Sequence, residues 1–125
     1  LVYPSMKAQR WGRIVNIIGG AGKEPDPYMF GSGITNSALL NITKSYAGYL
    51  GKDGILVNAV APGPTITPMY EQLPQSRRDG VMKTVHAGRA CTPEEVARVI
   101  LWLGTTSPDY VSGSTVDVNS GSYPR

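Results

Sequence analysis

The stretch 54–69, reading GILVNAVAPGPTITPM, constrains this chain most. From Ile55 to Val60 it is apolar and rich in β-branched residues, broken only by Asn58. A short continuous run of this kind suits a strand buried on both faces. The run meets Ala61-Pro62-Gly63-Pro64. Proline has no N–H for a sheet ladder, so two prolines around a glycine should carry the chain out of the sheet in a stiff turn. In an open parallel sheet, ligands bind beyond the carboxyl ends of the strands. A rigid turn there, with backbone N–H groups and the hydroxyls of Thr65 and Thr67, would make a ligand wall. The plain alternative is a loop that only ends a strand.

The segments around this run alternate in type. Residues 1–9 read as the end of a helix, and 13–18 (RIVNII) as a second buried strand. Gly19-Gly20-Ala21-Gly22 follows, where the backbone can turn freely, and then a proline-bearing polar loop. From about Ser32 the period becomes helical: Leu39, Ile42, Tyr46 and Leu50 fall three and four apart and predict one apolar stripe. Gly51 and Gly54 should end that helix. Residues 69–90 lack a long period and contain Pro74, Gly80 and Gly88, which predicts a mobile excursion with one short helix, placed to cover substrate. Thr92, Pro93 and Glu95 then spell a capping box with proline at the first helical position. Val96, Val99, Ile100 and Leu103 would be the buried face, with Glu94 and Arg98 paired outside. Residues 115–118 read as a last short strand, and the chain from Gly121 onward as a tail. Helix, strand, helix, strand, helix, strand implies two crossover units and a parallel sheet with right-handed connections.

With 125 residues there is room for one domain. Net charge is +3, but lysine and arginine are scattered, and Arg77-Arg78 with Lys83 reads as a solvated loop. No nucleic-acid partner is therefore expected. The single cysteine, Cys91, excludes an intrachain disulfide and fits a reducing compartment such as the cytoplasm. No apolar run approaches the roughly 18 residues of a membrane span. His86 is the only histidine, and a lone histidine in a polar loop reads as solvated. No His/Cys/Asp spacing suggests a metal. The opening Leu1-Val2-Tyr3-Pro4, without methionine, leads us to expect part of a longer polypeptide.

Four blocks resemble, in order, the short-chain dehydrogenases/reductases: GRIVNI at Gly12–Ile17, ALLNITKSYA at 38–47, NAVAPGPTITPM at 58–69 and TPEEVARVILWL at 92–103. The resemblance implies the C-terminal half of a Rossmann-type doubly wound α/β fold, with three strands and three main helices. No strand, Gly-rich turn and helix unit for the pyrophosphate is found, so the dinucleotide-binding half is expected to lie outside the sequence. NAD or NADP is the implied cofactor and a small carbonyl or alcohol the implied substrate. Homo-oligomerisation is implied through the helix at 32–50 and the last helix and strand, with Leu40 and Tyr49 as apolar residues to spare. Pro62, Gly63, Thr65 and Thr67 match the segment that contacts the nicotinamide carboxamide and a nearby phosphate.

The family uses a Ser, a Tyr thirteen positions later, and a Lys four after that. Counted from either flanking block, these positions fall on Gly19, Ser32 and Asn36. All three depart. Ser32 has no accessible pKa near neutrality, Asn36 has no charge to lower a neighbour's, and Gly19 has no hydroxyl. A one-turn slip would put Tyr28 at the Tyr position, but with Ser32 where the Lys belongs. Three expectations follow: an NAD(P)-dependent oxidoreductase with atypical catalytic residues, a noncatalytic binding or scaffold protein of the same fold, or an enzyme using other groups such as Tyr28.

Overall fold

A computed structural model describes residues 1–122; of the expected tail from Gly121 onward, 123–125 lie outside the described residues. Three strands, β1 (Gly12–Ile17), β2 (Ile55–Pro62) and β3 (Thr115–Val118), form a parallel sheet in the order β1-β2-β3. Helix α1 (Tyr3–Gln9) precedes β1 and α2 (Phe30–Leu50) joins β1 to β2. Two short helices, α3 (Pro68–Glu71) and α4 (Gln75–Met82), then precede α5 (Pro93–Thr105), which leads into β3. The fold is the expected α/β arrangement, with two short helices rather than one in the 69–90 excursion.

Strand β2 is central and buried from Ile55 to Ala61. Its alternate residues serve two layers. Ile55 and Val57 pack with Leu50, Ala47, Ile14, Tyr3 and Met6, while Ala59 and Ala61 pack with Ile18, Leu39 and Leu40. On the opposite face, Val60 packs with Val96, Leu103, Val99 and Ile100 of α5 and with Val116 of β3. Full burial of a valine, leucine or isoleucine side chain is worth about 1.5–3 kcal/mol. Asn58, in the middle of this strand, is buried because it is satisfied: Nδ2 donates to the Val111 carbonyl (2.7 Å) and Oδ1 accepts from Ser114 N–H (3.0 Å).

Two expectations are corrected here. The strand does not stop at Val60 but runs through Pro62, which registers with Val118. In a parallel ladder, successive residues of a central strand address alternate neighbours. The Val60 carbonyl accepts from Ile18 N–H and Gly63 N–H donates to Val118, so position 62 faces the β1 side, at the end of that strand. The missing proline N–H therefore costs no rung with β3. Second, the buried stripe of α2 is Leu39, Leu40, Thr43, Ala47 and Leu50, while Ile42 and Tyr46 are exposed. Leu40 is thus a core contact rather than spare apolar surface. Thr43 is buried despite its hydroxyl, which donates to Leu39 O (2.7 Å) and accepts from Asn16 Nδ2 (3.0 Å).

The capping box of α5 forms as expected: Thr92 Oγ1 accepts from Glu95 N–H (3.3 Å) and Glu95 Oε2 from Thr92 N–H (2.8 Å). The ion pair at this helix start is Arg89–Glu95 (2.6 Å); among the described residues Glu94 and Arg98 do not pair. No helix among the described residues is long and apolar enough to cross a membrane. At the other end of the sheet, Tyr3 OH donates to the buried Asp53 carboxylate (3.0 Å), tying α1 to the turn before β2.

Gly54 closes that turn with φ 75°, and a Cβ there would collide with the Arg10 carbonyl oxygen. Gly51, three residues earlier, has φ −56° and open space around it. Gly54→Ala should lower unfolding free energy by about 3 kcal/mol, from left-handed strain plus overpacking. Gly51→Ala should change it by less than about 1 kcal/mol. Urea denaturation of both variants reads the difference.

Candidate active site

The carboxyl end of β1 meets the amino-terminal third of α2 at Asn36, and that of β2 packs on the next turn at Leu39 and Leu40. After the rung from Ile18 N–H to Val60 O (2.9 Å), Gly19 continues extended and Gly20–Gly22 make one 3-10 turn. That turn lies directly on α2. A Cβ at Gly22 would stand 2.7 Å from Asn36 Cβ and 2.8 Å from its carbonyl carbon, so only glycine allows the approach. Ser37 Oγ donates to Gly22 O (3.0 Å) and secures it.

At the centre is Asn36. Its Oδ1 accepts from Gly19 N–H at 2.6 Å, and its Nδ2 donates to Ser32 O at 2.8 Å and Ser32 Oγ at 3.1 Å. The three positions 19, 32 and 36 are therefore brought together in one hydrogen-bonded chain, and none of the three side chains titrates near neutrality. A Cβ on Gly19 would come within 3.3 Å of Asn36 Nδ2, so the absence of a side chain at 19 makes room for the carboxamide at 36. Tyr28 is not drawn into this chain in the same way. It is 83% exposed, and its backbone N–H is held by Asp26 Oδ1 (2.8 Å) in an Asx turn.

The segment after β2 is a braced rim. Gly63 N–H donates to Val118 O (3.0 Å), and a Cβ at Gly63 would meet Asn119 Cα at 3.0 Å. Thr65 Oγ1 donates to Gly63 O (3.0 Å), and Thr67 Oγ1 accepts from Tyr70 N–H (3.3 Å) as the cap of α3. Both hydroxyls thus also stiffen the rim. Pro62, Gly63, Thr65 and Thr67 are all half-buried at its edge. Beside it lies a cavity of about 180 Å³ lined by Gly63, Pro64, Val85, Arg89, Cys91 and Asn119, among others. A larger apolar hollow of about 710 Å³, lined by Pro25, Pro27, Met29, Phe30 and Ile34, lies between the loop after β1 and α2. Gly22, which packs closely on Asn36, is also part of the lining of this hollow.

Beside the rim, Arg89 and Glu95 pair with each other. Bidentate hydrogen bonds from Arg89 (2.6 and 2.8 Å), helped by Thr92 N–H, hold the Glu95 carboxyl well below the usual carboxylate range. Burial, and then Glu95, push the Cys91 thiol up; Arg89 is a basic neighbour, but its opposing pull is smaller. Cys91 packs against the Val60, Val96 and Leu103 cluster, where its thiolate form is disfavoured. His86 is exposed. Sequence reasoning missed the ion pair of Lys23 with Asp117 on β3. The partners are 94 positions apart, and nothing local in either segment marks the other.

Residues 1–123 match the family model described as enoyl-(acyl carrier protein) reductase. Over 121 residues the chain is 37% identical to the 3-oxoacyl-[acyl-carrier-protein] reductase of Thermotoga maritima, covering 97% of this chain and 49% of that protein. The chain belongs to the short-chain dehydrogenase/reductase family. Among solved structures of this kind, the 3-oxoacyl-[acyl-carrier protein] reductase from Brucella melitensis is similar with a TM-score of 0.89 at 39% identity, covering 94% of this chain and 44% of that one. YwfH, described as an NADPH dependent reductase involved in bacilysin biosynthesis, gives 0.87 at 29% identity, over 96% of this chain and 50% of that one. The chain spans about half the length of the curated relatives it matches.

In this short-chain dehydrogenase/reductase chain, Asn36 is a structural pin between Gly19 and Ser32. Asn36→Ala would leave the half-buried Gly19 N–H without its acceptor. We expect a loss of about 1–3 kcal/mol in unfolding free energy by urea denaturation. Ser32→Ala removes only the longer of the two Nδ2 contacts and should cost less than about 1 kcal/mol.

Proposed function

We propose that this chain forms the substrate and nicotinamide side of an NAD(P)-dependent oxidoreductase acting between a small carbonyl and its alcohol, with an atypical catalytic set. Family membership and the reductase names of its relatives support the reaction class. The dinucleotide, when bound, supplies or takes the hydride. Pro62, Gly63, Thr65 and Thr67 would hold its carboxamide end: the rim is rigid, half-buried and hydroxyl-bearing, which fits that group. Position 36 offers less. Its carboxamide is turned onto Gly19 and Ser32, so it presents no cation to a ribose. As in the family, the functional form would be a homo-oligomer, and exposed Ile42, Tyr46 and Tyr49 along α2 supply apolar surface for it.

The observation that carries the proposal is the Gly19–Asn36–Ser32 chain. It orients backbone and hydroxyl groups at the carboxyl ends of the strands but contains no group that can give or take a proton near pH 7. The same observation favours a second reading, a catalytically inactive dinucleotide-binding or scaffold protein of this fold. Tyr28, exposed and four residues from Ser32, is the nearest alternative acid in sequence.

Binding and turnover separate these readings. The full-length protein should bind NADH or NADPH by fluorescence titration, yet oxidise it slowly against a panel of ketones, aldehydes and quinones. A positioned acid or base contributes about 10²–10⁴ in rate. Gly19→Ser, Ser32→Tyr and Asn36→Lys made together should raise turnover by about 10²-fold or more, because such groups act as a unit. Binding with no turnover even after restoration would favour the inactive reading. Rapid turnover in the unmodified protein that is abolished by Tyr28→Phe would instead assign the proton to Tyr28.

A further inference from the structure

Residues 67–90 leave the sheet after β2 and return before α5, and both feet of this excursion are tied. Cys91 N–H donates to Pro64 O (2.8 Å) and Ile66 N–H to Cys91 O (2.9 Å), so Thr65 and Cys91 pair in parallel at its base. The returning arm has another attachment. Ala87 N–H donates to Ser120 Oγ at 2.6 Å, bridging 33 positions of sequence. Ser120 holds φ 56°, inside the left-handed region, next to Gly121 at φ 73°. A side chain in that region is strained, and glycine there would not be. The arm is seated just before the attachment: Val85 is buried, and His86 Nδ1 lies 3.0 Å from where a Cβ of Gly121 would stand. One residue later Gly88 turns through φ 69° in open space, a natural joint.

We infer that Ser120 is a positioning residue whose hydroxyl latches the returning arm of the 67–90 excursion onto the end of β3. The strained backbone at 120 is the setting that aims this hydroxyl at Ala87. With the latch closed, Val85, Ala87 and Arg89 form one wall of the 180 Å³ cavity, facing Gly63, Pro64 and Asn119. With it open, the Cys91 foot and the Arg89–Glu95 pair still hold the base, while the arm beyond Gly88 is released to admit or free a ligand. The latch belongs to the chain itself and does not depend on which dinucleotide or carbonyl the protein takes.

Ser120→Gly and Ser120→Ala both remove the hydroxyl, but only the glycine also relieves the left-handed strain. Site-resolved amide hydrogen exchange on the full-length protein should show Ala87 exchanging about threefold faster or more in both variants. In Ser120→Gly the Ala59 and Val60 amides of β2 should exchange no faster than in the unmodified protein, because relief of strain offsets the lost bond. Ala87 exchange unchanged in both variants would overturn the latch. So would acceleration of Ala87 by no more than the factor seen at Ala59 and Val60, since that marks general loosening. If Ser120→Gly does not fold, the ratio of Ala87 to Ala59 acceleration in Ser120→Ala decides in the same way.

Discussion

With every residue from Ile55 to Ala61 buried, β2 cannot satisfy its backbone with water. Its polar groups need a strand on each side, and its side chains need a layer on each face. β1 and β3 meet the first need in parallel register, and α2 and α5 meet the second. Parallel neighbours cannot be joined by tight turns, so each connection must cross the sheet through a helix. The same requirement sets where chemistry can happen. All three strands release their chains at one end, and Gly19, the 62–67 rim and Asn119 gather there.

At that end the polar groups form a closed set. The carboxamide of Asn36 gives its acceptor to Gly19 and its donors to Ser32, which fixes the loop after β1 to α2. Glycine at 19 and asparagine at 36 are coupled choices, because a side chain at 19 would press on the amide nitrogen at 3.3 Å. Glycine at 22 belongs to the same set, since a Cβ there would enter the α2 backbone. A lysine at 36 could not accept from Gly19 N–H. The residues therefore agree with one another as a polar joint between the loop after β1 and α2.

Much of the fold was legible because strong local signals agreed with the tertiary outcome. The apolar run at β2, the capping box at Thr92–Glu95 and the α5 stripe are such signals. Where the reading failed, a tertiary contact decided. Ile42 and Tyr46 fit a helical stripe by hydrophobicity, but Thr43 and Ala47 face the sheet, and the Leu39 carbonyl and the Asn16 side chain together make a threonine acceptable there. Pro62 looked like a strand breaker until the parity of the ladder placed its missing N–H beyond β1. At the site, the spacing of Gly19, Ser32 and Asn36 was readable, and so was their lack of ionisable groups. The Gly19–Asn36 hydrogen bond was not, nor was the Lys23–Asp117 pair, since both depend on how the loop after β1 folds back.

The central claim is that Asn36 serves the loop and not the cofactor. Titrating NADPH into the unmodified full-length protein and into Asn36→Ala, at a temperature where both are folded, tests it most directly. The account predicts dissociation constants within about twofold of each other, although the variant is less stable. Weakening by tenfold or more, about 1.4 kcal/mol, with the fold intact would show that the Asn36 amide grips the dinucleotide, and would contradict the account.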